Sequence, residues 1–432
     1  MNLTAPAYAV AAAVTLIGIV GQWQVDPWPD LWRVPAASLL LGLLLEGLAV
    51  RRRVGLRITP RIPERVMLGQ PTTAELVLDN EGERPLRVEL QQAFTNGLSG
   101  NDAIAACTLP AHGNVVHAFS FTAQKLGTLE WQPVYTRTRG VFGLAWWSRK
   151  FDIPHELQVV PARLRGAERG PGTRPQGERV QRNAGAGFEL LGLRDYRHGD
   201  PMRAIDWKAT ARSQRYTVRL HSEERNLELL VLLDAGRTSN LRAGTLSRLH
   251  HYVNVAARLA ERAILNGDHV GIVVFADRPL AALPPAHGPA ALLGVRRILE
   301  QAHSVASESN PLAAALLARR LLHHRSLVVL LTDVDESQDP AQLIRAVQLL
   351  APKHLSVIAG TLDEETLALR HRPSSHWLHP YQAFAATEML LSVRGMALRL
   401  RRSGAQTITT VPAKLDRAVL RSYESLRLQR QI

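Results

Sequence analysis

The hydrophobic pattern divides the chain into parts, and the first part consists of two long apolar runs. Ala5 to Trp23 is almost wholly apolar, and Leu31 to Val50 carries charges only near its ends. Each run approaches the ~20 residues that cross a bilayer core. The basic triplet that follows indicates that this end lies in the cytoplasm. We therefore predict a transmembrane helical hairpin over residues 1–54 with both ends inside, and a buried hairpin of a soluble protein is the alternative.

Aromatic and basic residues flank these runs where membrane anchors usually lie. Tryptophan is favoured at the membrane–water interface, and arginine next to a helix end attracts anionic lipid headgroups. The predicted membrane-anchoring residues are three tryptophans and three arginines: Trp23, Trp28, Trp32, Arg51, Arg52 and Arg53.

The pattern changes to period two in residues 55–161. Runs such as Thr73 to Leu78 and Leu86 to Leu90 alternate polar with apolar side chains, and turns bearing Asn, Gly and Pro separate them. This spacing is typical of an antiparallel β-sandwich. Residues 162–190 have no hydrophobic period and are rich in Gly, Pro and Arg, which predicts a linker.

In residues 226–432, short apolar runs alternate with amphipathic segments. Leu229 to Leu233 is unbroken by polar residues, as in a strand buried on both faces. Further strands are predicted at 269–275, 327–331, 355–359 and 407–411, with helices at 245–266, 289–302, 311–323, 341–350 and 381–402. This alternation predicts a doubly wound parallel sheet with helices on both faces. The expected fold class is therefore α/β, preceded by the helical hairpin and the β-sandwich-like domain.

Composition and charge indicate which kinds of partner and metal site this chain can have. The 432 residues carry 52 Lys and Arg against 38 Asp and Glu, a net charge of +14. Such an excess favours acidic partners, yet the arginines are scattered over every segment, so nucleic acid is not an expected partner. Cys107 is the single cysteine, which excludes an internal disulfide and a thiolate zinc cluster.

A densely charged stretch within 191–225 follows neither the helical nor the strand period. It runs from Leu193 to Arg212 and interleaves acidic, basic and aromatic residues. We interpret it as a docking surface, with five candidate partner-binding residues: Arg197, Asp200, Asp206, Trp207 and Arg212. The alternative is a structural connector in which Asp206 and Trp207 are buried and paired, since buried charges require partners.

Two strand ends carry residues in a familiar arrangement. Asp234-x-Gly236-x-Thr238 follows the first buried strand, and Thr332-Asp333 follows a later one. This resembles the von Willebrand factor A-type domain, whose metal-ion-dependent adhesion site uses D-x-S-x-S, a Thr and an Asp. The whole chain, through its Gly-Asp and Ile-Asp-Trp-Lys-Ala-Thr-Ala-Arg stretches, is similar to the bacterial domain-of-unknown-function family fifty-eight. The resemblance implies pairing with a MoxR-type AAA+ ATPase.

The resemblance also implies an ion site, with Mg²⁺ as the candidate cofactor. Its ligands would be Asp234, Thr238, Ser309 and Asp333, with Ser309 or Asn310 as the second-loop ligand. Gly236 stands where a coordinating serine is expected, so the ligand set is degenerate. A bound ion would accept an acidic side chain from a partner in its open position. In the alternative, Asp234 is simply hydrogen-bonded at the strand end.

These features predict a membrane-anchored, non-enzymatic scaffold or adaptor. It would reside in the bacterial inner membrane as a two-pass protein with cytoplasmic soluble domains, and serve assembly or maturation of an envelope or secreted system. The sequence contains no H-E-x-x-H motif and no nucleotide-binding G-x-x-x-x-G-K-[ST] motif. Two alternatives stay open: a metal-assisted hydrolase using Asp234, Asp333 and Asp335, and a basic nucleic-acid-binding protein.

Overall fold

The computed structural model describes most of the chain and separates it into two units. It describes residues 2–23, 32–53, 55–139, 143–164, 184–198, 200–222, 227–334, 340–373 and 375–428. The units are Met1–Ala162 and Arg163–Ile432. Trp28 and Asp335, both singled out from the sequence, lie outside the described residues, as do the side chains of Trp23 and of Arg51 to Arg53.

Both apolar runs of the first unit form helices, α1 (Ala5–Trp23) and α2 (Arg33–Arg53). The prediction that they cross a bilayer is not supported, because no helix within the described ranges has both the length and the apolar character for it. Their ends are joined to the β-rich part of the same unit. The carboxylate of Glu46 is fully buried and accepts a hydrogen bond from the Leu144 backbone N–H at 3.2 Å. Trp32, a predicted anchor, packs beside Gly18 at the helix–helix contact and is 36% exposed.

The rest of the first unit is β-structure, as the period-two pattern predicts. Its strands are β1 (Asn2–Leu3), β2 (Leu56–Arg61), β3 (Arg65–Met67), β4 (Pro71–Asn80), β5 (Leu86–Gln92), β6 (Leu98–Gly100), β7 (Ala105–Leu109), β8 (Asn114–Ala123), β9 (Gly127–Glu130), β10 (Val134–Arg139), β11 (Ala145–Phe151) and β12 (Glu156–Val160). They form sheets ordered β1-β11-β10-β5-β7, β2-β4-β8-β6 and β3-β12-β9, and all pairs except β3–β12 are antiparallel.

The second unit begins with a hairpin that the sequence pattern did not predict. Its strands are β13 (Ala184–Asp195) and β14 (Thr217–Ser222), and the helix α3 (Trp207–Ser213) lies between them. The linker predicted over 162–190 is therefore too long, because its last residues pair as a strand. Glycine-rich sequence hides this strand, since glycine has no side chain to reveal a period.

A six-stranded α/β sheet follows, as predicted. Its strands are β15 (Glu228–Asp234), β18 (His269–Phe275), β19 (Pro279–Ala286), β20 (Leu327–Leu331), β21 (Leu355–Thr361) and β22 (Ala405–Thr410); β16 (Arg242–Ala243) and β17 (Leu246–Ser247) form a separate pair. The helices are α4 (Arg248–Leu265), α5 (Gly288–Glu300), α6 (Pro311–Leu321), α7 (Pro340–Leu350), α8 (Glu364–Arg370), α9 (His379–Arg402) and α10 (Pro412–Leu428).

The sheet order places β15 at the centre of the second unit. The order is β19-β18-β15-β20-β21-β22, and only β19 runs antiparallel to its neighbour. The side chains of Leu229 to Leu233 are all nearly inaccessible to solvent, which confirms burial of β15 on both faces. The carboxyl ends of β15 and β20 therefore open at one edge, and each delivers a polar residue there.

Candidate functional site

Asp234 ends β15 at the carboxyl edge of the sheet and accepts three hydrogen bonds there. Its side chain is 1% exposed. Oδ1 accepts a hydrogen bond from the Gly236 backbone N–H at 2.9 Å, while Oδ2 accepts from Ser309 Oγ at 2.7 Å and from Thr332 Oγ1 at 2.5 Å. Burial raises the pKa of this carboxyl, and the three hydrogen bonds oppose that rise. The carboxylate thus ties together three loops.

Backbone hydrogen bonds also connect the loop after β15 with the loop before α6. The Val305 N–H donates to the Ala235 carbonyl at 2.8 Å, and the Arg237 N–H donates to the Ser307 carbonyl at 2.8 Å. Asn310, the other candidate for a second-loop ligand, caps α6 instead by accepting from the Ala313 N–H at 3.0 Å. Ser309 is therefore the residue of this loop that reaches Asp234.

Asp333 follows β20 and is 4% exposed, but its carboxylate is held by α4. Arg248 Nη1 lies 2.5 Å from Oδ2, and the Tyr252 hydroxyl donates to Oδ1 at 2.8 Å. The Tyr252 hydroxyl in turn accepts from the Thr361 N–H at 3.3 Å. Burial, followed by the charge of Asp333, raises the pKa of Tyr252 well above its ordinary value. Both oxygens of Asp333 are thus engaged by a buried cation and a buried hydroxyl.

The structure brings the predicted ligands together only in part. Asp234 and Ser309 are in direct contact, and Thr332, which the sequence reasoning did not choose, completes their cluster. Its position directly before Asp333 at the end of the same strand is the signal that could have found it. Thr238 lies half-buried in a short 3-10 helix over Arg237–Asn240.

The residues at this edge do not fit a Mg²⁺ site. A Cβ atom on Gly236 would lie 3.1 Å from Asp234 Oδ1 and 3.1 Å from Ser309 Cβ, so the space for the expected serine ligand is closed. The Arg248 guanidinium already neutralises Asp333. Within the part of the chain that the structure describes, no group of three or more His, Cys, Asp or Glu side chains is placed to hold a metal ion.

In the charged stretch 193–219, two of the three acidic residues, Asp200 and Asp206, pair with nearby arginines. Arg194 binds Asp200 through two hydrogen bonds of 2.7 and 2.9 Å, and the Arg197 N–H donates to the same carboxylate at 2.8 Å. Arg219 Nε lies 2.9 Å from Asp206. The arginine partners are the main cause of a lowered pKa at both aspartates.

Asp206 also begins the helix α3. Its Oδ1 accepts from the backbone N–H groups of Lys208 and Ala209 at 3.0 and 3.1 Å, as an N-cap residue does. Trp207, the first residue of that helix, is 65% exposed. The alternative in which Trp207 is buried is therefore wrong, because the short helix points this side chain to solvent.

The predicted partner-binding residues consequently divide into two groups. Asp200 and Asp206 stabilise the local fold, whereas Arg197, Trp207 and Arg212 are exposed. Two further side chains of the stretch are also accessible, with Met202 at 76% and Tyr216 at 61% exposure. We refer to Met202, Trp207, Arg212 and Tyr216 together as the signature surface.

Fold and site define an α/β protein with a closed, hydrogen-bonded strand edge and a charged hairpin carrying exposed aromatics. Residues 192–369 match the family described as Protein of unknown function DUF58. The family resemblance, expected over the whole chain, is thus confirmed for residues 192–369.

Solved structures show weak similarity. The conserved hypothetical protein BatB from Bacteroides thetaiotaomicron is 15% identical over 47% of this chain and 99% of its own, with a TM-score of 0.34. An aerotolerance-related membrane protein from Bacteroides fragilis NCTC 9343 is 15% identical over 39% of this chain and 100% of its own, with a TM-score of 0.28. No curated protein matches the chain.

Proposed function

We propose that this chain is a non-enzymatic adaptor that docks a protein partner through the signature surface. The observation that carries the proposal is that Asp200 and Asp206 of stretch 193–219 are paired with arginines of the same stretch, whereas Trp207 and Tyr216 stay exposed. Tryptophan, tyrosine and arginine are the side chains that dominate binding energy at protein interfaces. Exposed side chains of these types are available for recognition by a partner.

The partner we propose is a MoxR-type AAA+ ATPase, following the family resemblance. In this role the chain would serve assembly or maturation of an envelope or secreted system, and the ATPase would supply the energy. The hydrogen bonding of the Asp234 and Asp333 carboxylates supports the proposal of an adaptor without catalytic activity. All four oxygens of Asp234 and Asp333 accept hydrogen bonds from protein groups, which leaves neither as a free base.

We further propose that the chain associates with the bacterial inner membrane through the first unit, with its soluble parts in the cytoplasm. The faces of α1 and α2 support this proposal because they leave large apolar side chains in the open. Leu16 and Ile19 are each 64% exposed, and Leu40 and Leu44 are 62% and 57% exposed. Soluble surfaces rarely present such a set together. The arginine triplet at the end of α2 would meet anionic headgroups.

A matched pair of tryptophan variants tests the docking proposal. Trp207 is 65% exposed within the signature surface, and Trp377 is 71% exposed outside it. We expect Trp207→Ala to weaken binding of the full chain to the MoxR-type ATPase of the same organism by at least about tenfold. Biolayer interferometry with immobilised full-length chain measures this. Unchanged binding by Trp207→Ala, or an equal loss in Trp377→Ala, would contradict the proposal.

The hydrolase alternative has a separate test. Full-length chain is incubated with phosphoester and peptide substrates in the presence of Mg²⁺ or Mn²⁺. We expect no turnover above that of the buffer. Turnover that disappears in Asp333→Ala would overturn the assignment as a non-enzyme.

A further inference from the structure

A groove of about 600 Å³ lies beside the last strand of the six-stranded sheet, far along the chain from the signature surface. The helices α8 and α9 and the strand β22 line it. Its walls include the apolar side chains of Leu367, Leu390, Val393, Leu398 and Ile408. This volume is in the range of sites that take a ligand or several side chains of a partner.

Three arginines surround the apolar walls. Arg370 comes from α8, and Arg394 and Arg401 come from α9. Arg401 Nε donates to Thr407 Oγ1 at 3.0 Å, and none of the three pairs with a carboxylate among the described residues. By contrast, several other arginines of this unit have acidic partners, as Arg262 has in Glu424 and Arg258 has in Asp416. A groove with three uncompensated positive charges is complementary to an anionic occupant.

The groove also reaches the edge of the sheet. β22 is the terminal strand and, among the described strands, pairs only with β21. Thr407, Ile408 and Thr409 follow one another in sequence and all line the groove. Since neighbouring residues of a strand point to opposite faces, a cavity that touches three in succession reaches the backbone of that strand. Outward N–H and C=O groups on such an edge can pair with an added strand.

The helix α9 extends the apolar surface outside the groove. Leu391, which does not line the groove, is 59% exposed, and Leu398 at the groove wall is 55% exposed. Gly395, which lies between them on the helix, has no atom within 4 Å of the position that a Cβ would take. This helix face is therefore open for contact along about two turns.

From these observations we infer that the groove binds an extended acidic segment of a partner protein. The segment adds to the edge of β22 by backbone hydrogen bonds and places alternate apolar side chains against Leu367, Leu390 and Val393. Its carboxylates lie near Arg370 and Arg394. Main-chain pairing contributes affinity in this mode of recognition, and the side-chain pockets contribute specificity. The inference uses no residue of the signature surface, so the two proposals fail separately.

The test uses a fluorescein-labelled peptide of alternating valine and glutamate, about eight residues long, which is an ordinary strand length. Fluorescence anisotropy with the full chain measures its binding. We expect the peptide to bind the wild type, and a valine–lysine counterpart not to bind. A valine–glutamate peptide with N-methyl groups on alternate backbone nitrogens is expected to bind much more weakly, because it cannot donate to the strand edge.

Charge reversal locates the site. The double variant Arg370→Glu, Arg394→Glu is expected to bind the valine–glutamate peptide about tenfold more weakly or worse, because two attractive charge interactions become repulsive. Arg402→Glu is the matched control, because Arg402 is exposed on α9 but does not line the groove, and it should bind as the wild type does. Trp207→Ala should also bind as the wild type does. Circular dichroism verifies that each variant is folded.

Several outcomes would overturn the inference. One is equal binding of the glutamate and lysine peptides, or no binding of either. Another is an unchanged affinity for the peptide in the Arg370→Glu, Arg394→Glu variant. Undiminished binding of the N-methylated peptide would show that the peptide does not pair with the edge of β22. The last experiment uses phosphatidylglycerol vesicles. If the vesicles bind through Arg370 and Arg394 and displace the peptide, the groove binds a lipid surface and not a protein segment.

Discussion

Arg248 and Asp333 are 85 residues apart in the sequence and form a buried ion pair at the edge of the sheet. Burial makes such a pair sensitive to the loss of one partner, because the remaining charge is left in a medium that solvates it poorly. Tyr252 fixes the second oxygen of Asp333, so the carboxylate has one orientation. At the scale of the residue, the Arg248 guanidinium neutralises the buried Asp333 carboxylate.

A double-mutant cycle measures this pair. We expect Arg248→Met to lower the free energy of unfolding by about 3–5 kcal/mol, since it leaves the Asp333 charge buried and unpaired. Arg248→Met combined with Asp333→Asn should be less destabilised than the sum of the single variants, because no net charge is then buried. Chemical denaturation provides the values. Additive effects of the two substitutions would show that the pair does not couple.

Asp234 predicts a pH dependence of stability. Burial raises the pKa of its carboxyl above the ordinary value of 3.8. The folded chain therefore binds this proton more tightly than the unfolded chain, so the group adds stability below 3.8 and loses it as pH rises through the native pKa. Asp234→Asn lacks this titration.

The unfolding free energy of the wild type minus that of Asp234→Asn should consequently increase as the pH falls from neutrality towards 3.8. Denaturation curves of both proteins across this range measure the difference, and the other titrating groups cancel. A difference that stays flat, or that decreases in acid, would contradict a raised pKa at Asp234.

At the scale of the element, the strand ends determine what the edge of the sheet can hold. The loops after β15 and β20 and the loop before α6 are drawn together by one carboxylate, Asp234. Gly236 permits this approach because a side chain there would contact Asp234 and Ser309 at 3.1 Å. Close packing therefore explains why glycine occupies position 236. The same packing leaves no space for the side chain that would serve as an additional ion ligand.

Gly236→Ser tests this packing. We expect it to destabilise the chain by about 1–3 kcal/mol through overpacking, without creating Mg²⁺ binding. Gly395→Ser on the open face of α9 is the control, since nothing lies within 4 Å of its Cβ position. Thermal unfolding with and without Mg²⁺ measures both the loss of stability and any Mg²⁺ binding. A Mg²⁺-dependent rise in the melting temperature of Gly236→Ser would revive the ion site.

At the scale of the whole molecule, the two units present different surfaces. The second unit carries a paired and charged hairpin together with a basic groove, and the first carries apolar helical faces. The net charge of +14 favours acidic partners, which is the chemistry of both the proposed acidic segment and the proposed anionic headgroups. Such a division is consistent with an adaptor that recruits a partner to a membrane.

Membrane association has its own prediction. We expect the full chain to float with phosphatidylglycerol-containing vesicles in a density gradient, and Leu44→Arg to reduce the floating fraction. Binding of a helix face to a membrane scales with the apolar area that it buries, and arginine removes the contribution of Leu44. Leu265→Arg is the control, because Leu265 is 52% exposed on α4 of the second unit. Equal flotation of the wild type and Leu44→Arg would count against a role of the α2 face.

The sequence by itself determined the strands and helices of the parallel sheet. Leu327 to Leu331 and His269 to Phe275 were predicted with their observed bounds, because strands buried on both faces require unbroken apolar runs. The strand Pro279–Ala286 escaped prediction, since its prolines are tolerated only on an edge that local sequence does not reveal. Asp234 with Ser309 at one strand edge also followed from the pattern and the resemblance.

Only the tertiary structure decided what the polar residues do. Asp333 has the right place in the sequence for a metal ligand, yet Arg248 and Tyr252 reach it from a helix that precedes it by some eighty residues. Trp207 follows a capping aspartate and is exposed, a fact that its neighbours in sequence do not reveal. Periodicity records which face of an element is buried, whereas the partner of a side chain depends on how distant elements pack against each other.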